Sequence, residues 1–139
     1  MTAAEFRARS PEWSIQSSIV GLLKVIGLPH SVTDASLVFD DKGKVFGRGV
    51  LTDGWPDISA VIGKGRFLGI ETKSASGALR PAQIKCHAEL RNAGALVIVP
   101  RSVEEFARVL VAEGIEHQAL TRFLQKPLPQ RAANLREKS

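Results

Sequence analysis

The stretch from Asp57 to Lys73 constrains the fold most. Two short runs rich in apolar and β-branched residues, 57–62 and 67–73, flank Gly63-Lys64-Gly65. Alternating runs joined by a glycine turn read as an antiparallel β-hairpin. A helical pattern follows over residues 81–92, closed by Gly94, and then a short buried strand over 96–99. A hairpin followed by a helix and a further strand admits a mixed α/β domain around one sheet and little else.

The flanking segments agree. Ser10-Pro11-Glu12 reads as a helix start, with an N-cap serine, a first-turn proline and an early acid. Ile15, Ile19, Leu22, Leu23 and Ile26 then repeat at helical spacing until Gly27 and Pro29 end the run. Residues 32–39 and 45–50 read as two strands hinged on Asp40-Asp41-Lys42-Gly43, a first hairpin. Ser74 to Gly77 reads as a flexible link. Ser102-Val103-Glu104-Glu105 reads as a capping box opening a helix over 104–112, and a further short helix is expected over 116–124. Residues 10–125 are thus expected to form the domain. Residues 126–139, with Lys126, Arg131, Arg136 and Lys138 against Glu137, are expected to trail as a basic tail.

Composition narrows the function. The chain has 139 residues, 19 Lys and Arg against 14 Asp and Glu, and a net charge of +5, which suits a polyanionic partner. One cysteine, Cys86, builds neither a disulfide framework nor a cysteine-rich zinc site, and a reducing compartment is the natural reading. The polar N-terminus and the lack of a membrane-length apolar run lead to the expectation of a cytoplasmic protein. There is no tyrosine to form a covalent DNA adduct, and Gly63-Lys64-Gly65-Arg66 lacks P-loop spacing. His30, His87 and His117 are scattered and read as surface or semi-buried residues rather than ligands. Trp13 reads as core packing; Trp55 is balanced between packing and stacking on bases.

The chemistry gathers on Asp57, Glu71 and Lys73. Glu71 and Lys73 share one face of a strand, about 7 Å apart, with Gly69 on the same face and Leu68, Ile70 and Thr72 opposite. Asp57 begins the neighbouring strand, so two carboxylates and an ammonium meet at the open end of the hairpin. Two oxygen ligands suit Mg²⁺ or Mn²⁺ and leave positions for water and phosphate. A lysine beside them can orient or deprotonate the water or offset transition-state charge. Either the Pro-Asp pair or the Glu-X-Lys triplet alone is commonplace; their company on one sheet margin is the signal. Gln83 lies with Cys86 and Leu90 on the helix stripe that should face the sheet. Alone it reads slightly better as a buried amide; beside these acids the site reading is preferred.

Gly54-Trp55-Pro56-Asp57, then Gly69-Ile70-Glu71-Thr72-Lys73, then Gly77-Ala78-Leu79-Arg80-Pro81-Ala82-Gln83 resembles the VRR-NUC family of the PD-(D/E)XK nuclease superfamily. The resemblance runs from about Glu12 to Leu110. It implies a restriction-endonuclease-like core with a mixed central sheet flanked by helices. It further implies that Asp57, Glu71 and the Thr72 backbone carbonyl bind Mg²⁺ or Mn²⁺, that Lys73 is catalytic and that Gln83 supports the site. Glu12 and Gln16 match an acid and glutamine on the family's first helix, which makes Glu12 an outer metal ligand, although an acid in a first helical turn is favoured by the helix dipole anyway. Trp55 stands where the family has a smaller residue, and the hairpin between Val32 and Val50 lacks the family's features. Stand-alone members resemble virus- or mobile-element enzymes acting as homodimers on branched DNA, including four-way junctions, so the cytoplasm in question extends to that of an infected or prophage-bearing cell.

Lys42, Lys44, Arg48, Lys64, Arg66, Arg80 and Lys85 are the candidates for phosphate contacts. The function read from the sequence is a metal-dependent endodeoxyribonuclease. The rival readings are a catalytically silent DNA-binding or assembly subunit and an RNA-processing nuclease.

Overall fold

The computed structural model describes residues 10–33, 37–39, 41–42, 45–48 and 52–125. The expected tail over 126–139, Lys44 and parts of the first hairpin's turn lie outside the described residues.

Helix α1 (Pro11–Ile26) starts where its local chemistry dictates: Ser10 Oγ accepts from Trp13 N at 3.4 Å, and Gly27 closes the far end by donating to Leu23 O at 3.0 Å. Ile19 and Leu23 are its buried residues; Trp13, expected in the core, is 40% exposed because it sits in the first turn off the apolar stripe.

Strands β1 (His30–Val32), β4 (Ile58–Ile62), β5 (Arg66–Ile70) and β6 (Leu96–Ile98) form a four-stranded sheet in the order β1-β4-β5-β6. Strands β1 and β5 each pair antiparallel with β4 between them, and β6 runs parallel to β5 across a helical crossover, α2 (Pro81–Asn92). Strands β2 (Leu37–Phe39) and β3 (Val45–Arg48) pair as a separate two-stranded ribbon. Residues 32–39, expected as one strand, therefore divide between two sheets. The chain leaves β1 at Thr33, whose N–H donates to Asp57 O at 2.7 Å and whose hydroxyl donates to Pro56 O at 3.0 Å. The excursion of residues 34–56 is closed by these bonds at the foot of β4.

Sheet register decides which residues reach the core. Ile58 stands opposite Ile70 and Ala60 opposite Leu68, and this face packs on Ile19 and Leu23 of α1. Phe106, Ala107 and Leu110 of α3 (Val103–Ala112) and Leu120 of α4 (Gln118–Leu124) complete that core. Helix α2 buries Gln83, Cys86 and His87. Ser102 Oγ accepts from Glu105 N at 3.1 Å, but the Glu105 carboxylate accepts from Arg101 N rather than closing the reciprocal box, and α3 begins one residue earlier than expected. His117 caps α4, its Nδ1 accepting from Ala119 N at 3.0 Å, so that helix is shorter than expected. Among the described residues no helix is long and apolar enough to cross a membrane.

Candidate active site

Extending the β4–β5 register by one residue from the Ile58–Ile70 pair sets Asp57 opposite Glu71, on the face turned away from the main core. Gly69 makes room for this. A Cβ there would lie 2.8 Å from Pro56 Cγ, so the buried proline rests directly on the strand and delivers Asp57 to its neighbour. Gly54 does the same on the other side. At φ 86 it approaches α2 so closely that a Cβ would fall 2.1 Å from Ala82 O, which fixes the loop before Asp57 against the helix that carries Gln83.

Both acids are held by neighbours. Asp57 Oδ2 accepts from Thr72 N at 3.0 Å and from Thr72 Oγ1 at 2.9 Å. Glu71 is only 1% exposed, and its Oε1 accepts from Gln83 Nε2. Gln83 Oε1 in turn accepts from Arg80 N at 2.8 Å, so one amide side chain ties the start of α2 to the acid. Glu71 Oε2 is buried without a hydrogen-bond partner among the described residues. Regular pairing of β5 ends at Ile70, short of the expected Lys73, yet the chain stays extended. Glu71 N donates to Ile98 O at 2.9 Å and Lys73 N to Pro100 O at 3.3 Å.

Burial, then the adjoining Asp57 carboxylate, push the Glu71 carboxyl up to about 9, against a downward pull from Lys73. A proton or another cation is therefore favoured between the acids. His87, expected to be a surface or semi-buried residue, is wholly buried with Nε2 3.9 Å from Glu71 Oε1. Burial and then Arg91 lower its pKa. Its place four residues after Gln83 was the signal that could have found it. Burial, followed by Glu89, Glu71 and Asp53, raises the Cys86 pKa, which makes this thiol a poor nucleophile.

Lys73 is half-buried at the margin of the site. Around Gly77 three side chains close in: a Cβ there would lie 3.1 Å from Glu12 Oε1, 3.1 Å from Ser74 Oγ and 3.4 Å from Lys73 Cδ. Helix α1 thus brings Glu12 to the same turn that follows Lys73. Ser74 to Gly77, expected as a flexible link, is a hydrogen-bonded turn. Gly77 N donates to Ser74 O, and Arg101 NH1 reaches both Ser74 O and Gly77 O at 2.6 Å.

The candidate phosphate contacts divide. Arg80, ion-paired to Asp53 at 3.5 Å, is exposed at the N-cap of α2, and Lys85 is exposed within that helix. Lys64 and Arg66 sit at the closed end of the hairpin, about 17 Å of strand away from Asp57. Arg66 is engaged there with Gly94 O at 3.0 Å and Glu113 at 3.5 Å. Lys42 is exposed in the ribbon's turn, and the backbone of Arg48 ends β3. Trp55 packs: its Nε1 donates to Ser59 Oγ at 2.9 Å and its ring meets Phe67 edge-on at 5.6 Å.

The donor set fits a hard divalent cation. Two carboxylates face each other, one with a buried unpartnered oxygen, and among the described residues no third His, Cys, Asp or Glu completes an all-protein cage. Magnesium and manganese use such sparse sets and keep water and phosphate on their open positions.

No protein-family model matches the sequence, and no curated protein matches it. Among solved structures a VRR_NUC domain has the same fold, with a TM-score of 0.53 at 19% sequence identity over 74% of this chain and 96% of that one. The mixed four-stranded sheet with flanking helices of this chain is consistent with that fold.

Proposed function

We propose that the chain is a metal-dependent nuclease that hydrolyses DNA phosphodiester bonds. The observation that carries this reading is the buried Glu71 set opposite Asp57, with one carboxylate oxygen left unpartnered. Asp57, Glu71 and the Thr72 carbonyl would hold Mg²⁺ or Mn²⁺, with Glu12, beside the turn that follows Lys73, as an outer ligand. Such an ion supplies a polarised phosphoryl oxygen and a more acidic water. Thr72 orients Asp57 through two hydrogen bonds, and Gln83 orients Glu71. Lys73 takes a proton from the attacking water or offsets charge on the phosphate. Arg80 and Lys85 would steer the backbone toward the acids, with Lys42, Lys44 and Arg48 as a second set of phosphate contacts. Lys64 and Arg66 would meet DNA only if the duplex ran the length of the hairpin.

The finer proposal is a homodimer acting on branched DNA, since paired cleavage of a junction needs two sites and this domain offers one. The lone, buried Cys86 supports the cytoplasmic reading. The test is a cleavage assay with Mg²⁺ or Mn²⁺ on linear, flapped and four-way-junction DNA, with an RNA control. Metal-dependent cutting of DNA that Asp57→Asn and Glu71→Gln abolish is the expected result. DNA bound but never cut, by any metal, would establish the silent subunit instead; preference for the RNA control would establish an RNA nuclease.

A further inference from the structure

His87 is fully buried, and neither ring nitrogen has a hydrogen-bond partner among the described residues. Buried polar atoms are ordinarily satisfied, so a histidine kept unpaired in an interior calls for a partner it meets in another state. Its surroundings name that partner. His87 stands one helical turn after Gln83 on the same face of α2, and Gln83 Nε2 already donates to Glu71 Oε1. His87 Nε2 is 3.9 Å from that same oxygen. A shift of about 1 Å brings this pair to hydrogen-bond length. Glu71 Oε2, by contrast, has no hydrogen-bond donor among the described residues.

We propose that His87 is a positioning residue for Glu71: in the ion-loaded site its neutral ring donates Nε2–H to Glu71 Oε1, fixing that oxygen together with Gln83 and leaving Oε2 for the ion. The role rests on the nuclease reading for the purpose of the carboxylate pair. It gives α2 two grips on one oxygen, so the acid cannot rotate and present the wrong edge. Groups that hold the far side of a metal ligand change metal affinity by about 10–100-fold.

Calorimetric titration of Mn²⁺ into the full chain tests it, with His87→Leu and His87→Gln beside the wild type. The leucine variant should bind Mn²⁺ at least about 10-fold more weakly while the metal-free protein melts no lower, because an unpaired buried polar group has been replaced by an apolar one. Glutamine, with an N–H at similar reach, should recover most of the affinity. Leucine and wild-type chains binding Mn²⁺ equally would overturn the role while leaving the nuclease reading intact. A wild-type chain that takes up no Mn²⁺ would overturn that reading and this role together. Should the leucine variant not fold, the ring tautomer of the Mg²⁺-loaded wild type, read by ¹⁵N NMR, decides: Nε2–H supports the proposal and Nδ1–H overturns it.

Discussion

Asp57 is bound twice to Thr72, and both bonds fall on a single carboxylate oxygen, Oδ2, from a backbone N–H at 3.0 Å and a hydroxyl at 2.9 Å. The two residues lie just beyond the ends of adjacent strands, β4 and β5, so the first acid of the site is oriented by the residue that follows the second. Thr72→Val keeps the shape and one of the two donors. It should lower stability by about 1 kcal/mol and reduce cleavage by about 10-fold, checked by chemical denaturation and single-turnover kinetics.

The metal-free chain should lose stability with rising pH. Glu71 binds its proton more tightly in the folded chain, at about 9 against an ordinary 4.5, so its contribution is full below 4.5 and is lost as pH climbs through 9. His87 acts in the opposite sense, since its depressed pKa favours folding as pH rises toward 6.5. Above that value Glu71 sets the slope up to about 9, where the raised Cys86 thiol begins to add to it in the same sense. Melting temperature should therefore fall between pH 7 and 9, and Glu71→Gln should flatten the slope and melt higher at pH 8. A flat wild-type profile in chelator would contradict the burial argument.

Lys73→Ala should slow the chemical step by about 10²-fold or more, with DNA affinity changed far less. Equal losses in binding and turnover, measured by pre-steady-state kinetics, would reduce Lys73 to a phosphate contact.

Gln83 has two duties, so its substitutions should separate them. Gln83→Ala removes the bond to Arg80 N as well as the one to Glu71, and should lower stability by about 1–3 kcal/mol. Gln83→Glu keeps an acceptor for Arg80 N but sets a third acid beside Glu71. Cleavage should be lost more completely in the glutamate variant than its melting temperature alone would suggest.

Gly54→Ala should destabilise by about 3 kcal/mol or more, from a disallowed φ combined with collision against Ala82. Gly94→Ala, at φ 100 with open space around it, should cost about 1 kcal/mol. Denaturation of the pair would separate close approach from backbone strain.

Much of this was legible locally. Ser10, Pro11 and Gly27 mark α1, and the glycine turn after Ile62 marks the β4–β5 pair, because caps and turns are decided by neighbours in sequence. The Asp57, Glu71 and Gln83 grouping was legible because strand alternation and helix periodicity project onto the same face. The division of residues 32–39 was not, since apolar strand formers on either side of Thr33 look alike whichever sheet they join. Nor was the burial of His87. Residue type argued for the surface, whereas its fate was settled by the packing of α2 against β6 and beside Glu71. The grip of Arg101 on Ser74 and Gly77 joins residues more than twenty positions apart and leaves no local trace.

The excursion from β1 departs and returns at one point, where Thr33 N–H meets Asp57 O. Such a detour is topologically a cassette. A change in the length of the chain between Thr33 and Asp57 should carry little entropic penalty beyond the logarithm of that length. The pivot is the carbonyl of a proposed ligand, and Gly54 and Pro56 clamp the returning chain before it arrives there. A change of length or charge in the cassette should therefore leave the carboxylate pair beside it where it is.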